Sequence, residues 1–212
     1  MKLVLTPNQT LLVAMMIHVD TLLAWGASYK KVAAEETIFR EGAEGHFYYQ
    51  LVSGSVRCIN ITDEGREFIQ NMIGPGESFG ELPLFDQNEY ESSAIGNKES
   101  IILRLHKNTF LQLLKEHPDT HLAFSKLMAQ RMRFKSLLLK ELACSNPEHR
   151  ISTLFSYFKE SKKYICQNCN QVQLTRQQIA DMTGLRVETV IRTIKNLQHK
   201  GSLIIDKGKV YC

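Results

Sequence analysis

Between Leu174 and Gly201 the chain reads LTRQQIADMTGLRVETVIRTIKNLQHKG, and the polar side chains of its second half are of types that recognise nucleic acid. Arg186, Glu188, Thr189, Arg192 and Lys195 fall on or just before one helical stretch. An arginine can grip guanine O6 and N7 through two hydrogen bonds, and a glutamate can accept from cytosine N4. A carboxylate near DNA is repelled by phosphate unless it contacts a base or orients an arginine. Glu188 stands four residues before Arg192, which allows both roles. Thr175 and Arg176, at the start of the preceding helical segment, complete the set expected to face DNA.

A second candidate is Cys166-Gln-Asn-Cys169, whose spacing suits a metal knuckle or a redox pair. One such pair supplies half of a tetrahedral zinc site, and further ligands such as Cys144 or His149 would have to come from elsewhere. No metal site is therefore assigned: the pair is expected to form the turn of a hairpin before the DNA-reading segment, with thiol oxidation or zinc occupancy as the sharper alternative. Enzyme chemistry is not expected, since no nucleophile is paired with a base, no Walker-type lysine loop occurs and the seven histidines lack ligand spacing.

The elements that must present these residues can be read from periodicity. Arg176 to Thr183 and Val187 to Lys200 are expected as two helices joined at Gly184, the spacing of a helix-turn-helix. Ile179, Ala180, Leu185, Val190, Ile194 and Leu197 are the packing positions, and Thr175 with Gln178 forms a capping box. Ser202 to Tyr211 reads as strand, turn and strand, a wing whose Lys207 and Lys209 could meet phosphate.

Upstream, the chain is helical from Pro118 to Cys144. Met128, Met132, Lys135, Leu139 and Leu142 follow the alternating four-and-three spacing of a coiled-coil seam. That implies a partner helix, in a parallel homodimer; the alternative is a helix lying on its own domain's core. Lys135 inside the seam is either a specificity device or a contact to something bound nearby. A break at Ser145-Asn146-Pro147 opens a further helix with Ile151, Leu154, Phe155 and Phe158 on one face. Thr37 to Leu105 is β-rich, a sandwich or barrel, with turns expected at Ser53-Gly54 and Asp63-Glu64-Gly65, and residues 8–25 suit an amphipathic helix.

Charge is unevenly distributed over the 212 residues. Residues 1–145 carry 15 Lys+Arg against 17 Asp+Glu, whereas 146–212 carry 11 against 5. A basic final third raises the potential where a polyanion would dock. Five cysteines at uneven positions are unlike a secreted disulfide framework, and no apolar run reaches the roughly 18 residues of a membrane span. A cytoplasmic protein without membrane contact is expected.

Two segments, GESFGELPLF at 76–85 and LTRQQIADMTGLRVETVIRTIKNL at 174–197, resemble the Crp/Fnr family of bacterial transcription regulators, a likeness that runs from about Tyr29 to the C-terminus. The resemblance implies an α+β protein: an N-terminal double-stranded β-helix (jelly-roll or β-roll) sensor domain of the cyclic-nucleotide-binding type over 1–117, a dimerisation helix over 118–145 and a C-terminal winged helix-turn-helix over 146–212. It further implies a homodimer on palindromic double-stranded DNA, RNA polymerase as a partner, and a TGA-like half-site core read by Glu188 and Arg192, with outer bases left open by Val187 and Ile191.

The same resemblance places the effector at Gly80, Glu81, Leu82, Glu91, Ser92, Arg131, Lys135 and Ser136. Family members that bind cyclic AMP hold its phosphate with an Arg-Ser pair; here Glu91 occupies the arginine position and Ser92 the serine position. Like charges about 4 Å apart repel by roughly 1 kcal/mol even in water, so cyclic AMP is disfavoured. Lys135, where cyclic-AMP binders have a small hydroxyl, would pair with Glu91 or with a different anionic effector; a roll without ligand is the other outcome. An iron-sulfur cluster of the Fnr type is not expected, because no cysteine precedes Cys58. The competing class is a cyclic-nucleotide-binding-like scaffold or sensor without sequence-specific DNA function.

Overall fold

The computed structural model describes residues 16–143, 146–166 and 168–212. Residues 8–15 of the expected first helix, and Cys144 and Ser145 at the end of the long helix, lie outside the described residues. Two compact units form: one holds the chain up to Asn60 together with Asn71–Ser125, the other Ile61–Gln70 together with Lys126–Cys212.

In the first unit α1 (Val19–Ala24) is short and buries Leu22. The chain entering it is pinned by the buried Gln50, whose side chain donates to the Ile17 carbonyl (2.8 Å) and accepts from the Ile17 N–H (3.0 Å) and the Tyr48 hydroxyl (2.7 Å). Satisfying each polar atom is what makes burial of an amide tolerable.

The sheet is built on two long antiparallel strands, β3 (Phe47–Ile61) and β6 (Ser93–His106), in register from Phe47 opposite His106 to Ile59 opposite Ser93. β1 (Ser28–Val32) and β2 (Thr37–Phe39) pair with β6, while β4 (Glu67–Ile73) and β5 (Ser78–Phe79) pair with β3. The Asp63-Glu64-Gly65 turn forms as expected: the Gly65 N–H donates to the Thr62 carbonyl (2.8 Å), with Gly65 at φ 75.

Ser53-Gly54 is not a turn. β3 continues through it, and the register with β6 shifts between Leu51 and Val56, which makes a bulge. Gly54 sits at φ 102, and a Cβ there would lie 2.2 Å from Ser100 Oγ and 2.6 Å from the Glu99 carbonyl oxygen. The buried Ser100 hydroxyl accepts from the Ser55 N–H (3.0 Å), supplying the partner that the interrupted ladder does not.

Helix α2 (Leu82–Asp86) follows β5, and α3 (Lys107–Glu116) follows β6. Phe110 of α3 stacks on Tyr48 at 4.5 Å between centroids, and Phe124 meets both rings edge-on at 5.4 and 5.8 Å. Aromatic pairs of this kind contribute about 0.5–1.5 kcal/mol each beyond their buried area.

Phe124 already belongs to α4 (Pro118–Ala143), 26 residues and so about 39 Å long. One side of α4 is buried at Phe124, Phe134 and Glu141. In the second unit Phe134 stacks on Tyr157 at 4.4 Å. The other side exposes Leu122, Ser125, Ala129, Met132, Ser136, Leu139 and Ala143, an unbroken three-and-four repeat.

Helices α5 (Pro147–Ser161), α6 (Arg176–Thr183) and α7 (Val187–His199) complete the second unit with the hairpin β7 (Ile204–Asp206) and β8 (Lys209–Tyr211). Asn146 caps α5 by accepting from the Glu148 N–H (2.9 Å). The β7–β8 turn has Lys207 at φ 46 and Gly208 at φ 79, the backbone of a two-residue turn that follows the strand twist. Among the described residues no helix is long and apolar enough to cross a membrane.

Candidate nucleic-acid interface

Helix α6 starts at the expected capping box: the Thr175 hydroxyl accepts from the Gln178 N–H (3.1 Å), and the Gln178 side chain accepts from the Thr175 N–H (3.0 Å). It ends at Gly184, whose φ of 66 turns the chain so that α7 begins three residues later. α7 packs on both α5 and α6 and buries Val190, Thr193, Ile194 and Leu197.

That packing turns the polar face outward. Arg186, Glu188, Arg192 and Lys195 are exposed, and Thr189 is half-buried beside them. Among the described residues neither Glu188 nor Arg192 is engaged in an ion pair, so both keep their full hydrogen-bonding capacity. Lys207 and Lys209 of the wing are exposed as well.

Two of the expected DNA-facing residues have work within the domain. The Thr175 hydroxyl is the helix cap. Arg176 is half-buried and donates from Nη2 to the Gly208 carbonyl (3.1 Å), tying the start of α6 to the wing turn; burial lowers its pKa from the ordinary value.

Arg150 carries no signal of its role in the local sequence. Arg150, in the first turns of α5, donates to three backbone carbonyls: from Nε to Glu141 (3.1 Å), from Nη2 to Leu142 (3.2 Å) and from Nη1 to Thr183 (2.9 Å). The first two belong to the last turn of α4 and the third to the end of α6. One guanidinium therefore fastens the long helix to the helix that precedes the recognition turn. Its sequence surroundings, a polar helix start, look like those of any solvated arginine.

In the first unit, Gly80 has φ 69, and a Cβ there would lie 2.7 Å from Phe39 Cε1. Phe39 stacks on Tyr90 at 3.8 Å and lies 5.7 Å from Tyr49 and 6.1 Å from Phe79. Four aromatic rings thus occupy the interior beside the Gly80-Glu81-Leu82 segment. Glu81 is buried, and Leu82 is exposed. The Tyr90 hydroxyl is buried without a hydrogen-bond partner, and burial followed by the nearby Tyr49, Glu81 and Glu91 raises its pKa. An unpaired buried donor costs about 1–3 kcal/mol. Tyr90→Phe is therefore expected to hold or raise stability by up to about that amount in urea titration; a clear loss would show that the hydroxyl is bonded in solution.

Comparison with known proteins decides the family. Residues 29–117 match the cyclic nucleotide-binding domain and residues 149–211 the Crp-like helix-turn-helix domain. The chain is 30% identical over 195 residues to the cAMP-activated global transcriptional regulator CRP of Haemophilus influenzae, covering 90% of this chain and 87% of that protein. The chain belongs to the Crp/Fnr family. Solved Crp/Fnr-like folds agree: the CooA mutant from Carboxydothermus hydrogenoformans superposes with a TM-score of 0.76 at 14% identity, over 92% of this chain and 86% of that one. The c-di-GMP responsive regulator CLP of Xanthomonas campestris gives 0.71 at 23%, over 91% and 96%.

This Crp/Fnr protein is accordingly a transcription regulator with a DNA-binding helix-turn-helix and a cyclic-nucleotide-binding-type domain, in the α+β class expected from its sequence. It departs from the pattern at the nucleotide segment. Pro83 stands in the first turn of α2 and has no N–H to offer a phosphate. Glu91 is exposed, and its carbonyl accepts from Asn60 Nδ2 (2.7 Å); Ser92 is buried. On α4, Arg131 is half-buried while Lys135 and Ser136 are exposed. Lys135 takes part in no ion pair among the described residues. Of the expected seam, Met132, Lys135, Leu139 and Leu142 are exposed and Met128 is half-buried.

Proposed function

We propose that this regulator works as a homodimer on a palindromic site with a TGA-like half-site core, under control of a small molecule other than cyclic AMP. The observation that carries the DNA reading is the outward face of α7, where Arg186, Glu188, Arg192 and Lys195 stand exposed over a buried apolar face. In a helix-turn-helix such a face enters the major groove. Glu188 accepting from cytosine and Arg192 bridging guanine would supply the base discrimination, and Lys195, Lys207 and Lys209 the phosphate contacts.

Pairing is supported by α4. Leu122, Met132 and Leu139 are 55%, 72% and 69% exposed, and with Ser125, Ala129 and Ser136 they form the heptad stripe that a second helix would cover. Lys135 then lies at the flank of the seam, where a charge stays hydrated, rather than inside it. Two such subunits would set the recognition helices about one turn of DNA apart.

The relatives named as cAMP-activated make cyclic AMP the first effector to consider. Against it stand Pro83 without its N–H, Glu91 where a cation is needed, and the aromatic stack of Phe39 and Tyr90.

The test is fluorescence anisotropy of the full-length protein with a TGA-containing palindrome and a scrambled duplex at one salt concentration, with and without cyclic AMP. Selective binding that ignores cyclic AMP is expected. Equal weak binding to both duplexes that persists when a low-molecular-weight cell extract is added as a source of effector would overturn the DNA reading, and cyclic-AMP dependence the effector reading. In the same assay Arg192→Ala should lower discrimination at one base pair by about 1–3 kcal/mol, roughly 5- to 150-fold. An unchanged preference would remove Arg192 from the base-reading set.

A further inference from the structure

The turn that carries Cys166 and Cys169 is closed on both sides. The Cys166 N–H donates to the Gln171 carbonyl and the Asn170 N–H to the Cys166 carbonyl, both at 2.8 Å, between the paired residues Ile165 and Val172. A chain closed in this way brings its first and fourth residues within the Cα separation that a disulfide spans, roughly 4.4–6.8 Å. Both thiols are free; Cys169 is exposed and Cys166 half-exposed.

The sulfur of Cys166 is also surrounded by donors. The Cys169 side chain and the backbone N–H groups of Asn168 and Cys169 all reach it, and together they lower its pKa. A thiolate is the attacking form of cysteine. Two other cysteines differ in setting: Cys58 is buried in the core of the first unit, and burial pushes the Cys212 thiol up. Among the described residues no cluster of three or more His, Cys, Asp or Glu side chains could hold a metal ion, and the pair by itself supplies two of the four ligands of a tetrahedral site.

We propose that Cys166 and Cys169 are a redox-active dithiol whose substrates are low-molecular-weight disulfides. The Cys166 thiolate attacks one sulfur of the disulfide, whose S–S bond breaks and releases the first thiolate. Cys169 gives up its proton to solvent and attacks the Cys166 sulfur, expelling the second thiolate. Two protein thiols are oxidised to one intrachain disulfide, and the small disulfide is reduced to two thiols, which take up the protons. The dithiol turn sits against the wing, since the Val172 N–H donates to the Val210 carbonyl (2.8 Å) and the Cys212 N–H to the Asn170 carbonyl (3.3 Å).

The sequence makes the test direct, because trypsin cuts after Lys163 and Arg176 and nowhere between, which leaves both cysteines in one peptide and Cys58, Cys144 and Cys212 in others. Full-length protein is equilibrated in buffers of graded oxidised to reduced glutathione, quenched in acid, alkylated, digested and weighed. The peptide 164–176 is expected to pass in one transition from doubly alkylated to unalkylated and lighter by two hydrogens. In Cys169→Ser, Cys166 should accumulate as the mixed disulfide with glutathione; in Cys166→Ser, Cys169 should react about tenfold more slowly or less. A peptide that stays doubly alkylated at the most oxidising ratio, or that reaches only mixed or intermolecular disulfides, would overturn the proposal. So would full protection of both thiols by a stoichiometric amount of zinc in the reduced protein.

Discussion

Arg150→Ala is expected to lower the stability of the second unit by about 3–5 kcal/mol, since it strips a charged donor from three carbonyls at once. The Glu141 and Leu142 carbonyls lie in the last turn of α4 and the Thr183 carbonyl in that of α6, positions at which helix carbonyls generally lack an intrahelical partner. The chain offers a convenient separation of signals. Its single tryptophan, Trp25, lies in the first unit and far-UV circular dichroism reports helices of both. In urea, the Arg150→Ala circular-dichroism curve should split, with part of the helical signal lost earlier while the Trp25 fluorescence midpoint stays near wild type. A midpoint within about 0.5 kcal/mol of wild type for both signals would show the clasp to be incidental. Arg150→Lys should recover little, because a single ammonium cannot span three acceptors that a planar guanidinium reaches from separate nitrogens.

The second large effect is expected at Gly54. A methyl group there would sit 2.2 Å from Ser100 Oγ and 2.6 Å from the Glu99 carbonyl oxygen, on a residue at φ 102. The backbone strain alone costs about 1–3 kcal/mol, and relieving the clash means parting β3 from β6, the central pair of the sheet. Gly54→Ala should lose about 3–5 kcal/mol in all, seen as an early Trp25 transition in urea. Gly65→Ala is the control: it shares a positive φ but has nothing within 4 Å of its Cβ, so its loss should stay near the strain cost alone.

Gly54 also shows where local sequence stops being informative. Ser-Gly between two β-rich runs is the pattern of a turn, and the same pair serves as a bulge when a third segment, here Glu99 and Ser100, lies close against it. Only the long-range pairing of β3 with β6 distinguishes the two. The recognition motif was legible for the opposite reason: the Thr175–Gln178 capping box, the turn at Gly184 and the period of Val190, Ile194 and Leu197 are all set by residues within one or two turns of each other. Arg176 and Arg150 fell between these cases. An arginine at a polar helix start points by its type alone to solvent or phosphate, whereas their partners are carbonyls of Gly208, Glu141, Leu142 and Thr183, up to 33 positions away. The seam of α4 was ambiguous because its apolar residues cover a broad arc, so two stripes fit the spacing. Which side is free depends on what Phe124, Phe134 and Glu141 bury against.

The exposed stripe of α4 has large side chains only at Leu122, Met132 and Leu139, separated by serine and alanine. In the proposed dimer three apolar anchors per helix would make a modest hold, and the fraction of chains in pairs would then depend on how many copies a cell contains. While single chains predominated, doubling the copy number would raise the paired form about fourfold by mass action. Operator occupancy would consequently follow gene dosage and protein turnover steeply, so that expression level becomes an input in its own right, with a threshold set by α4 and open to tuning one seam residue at a time.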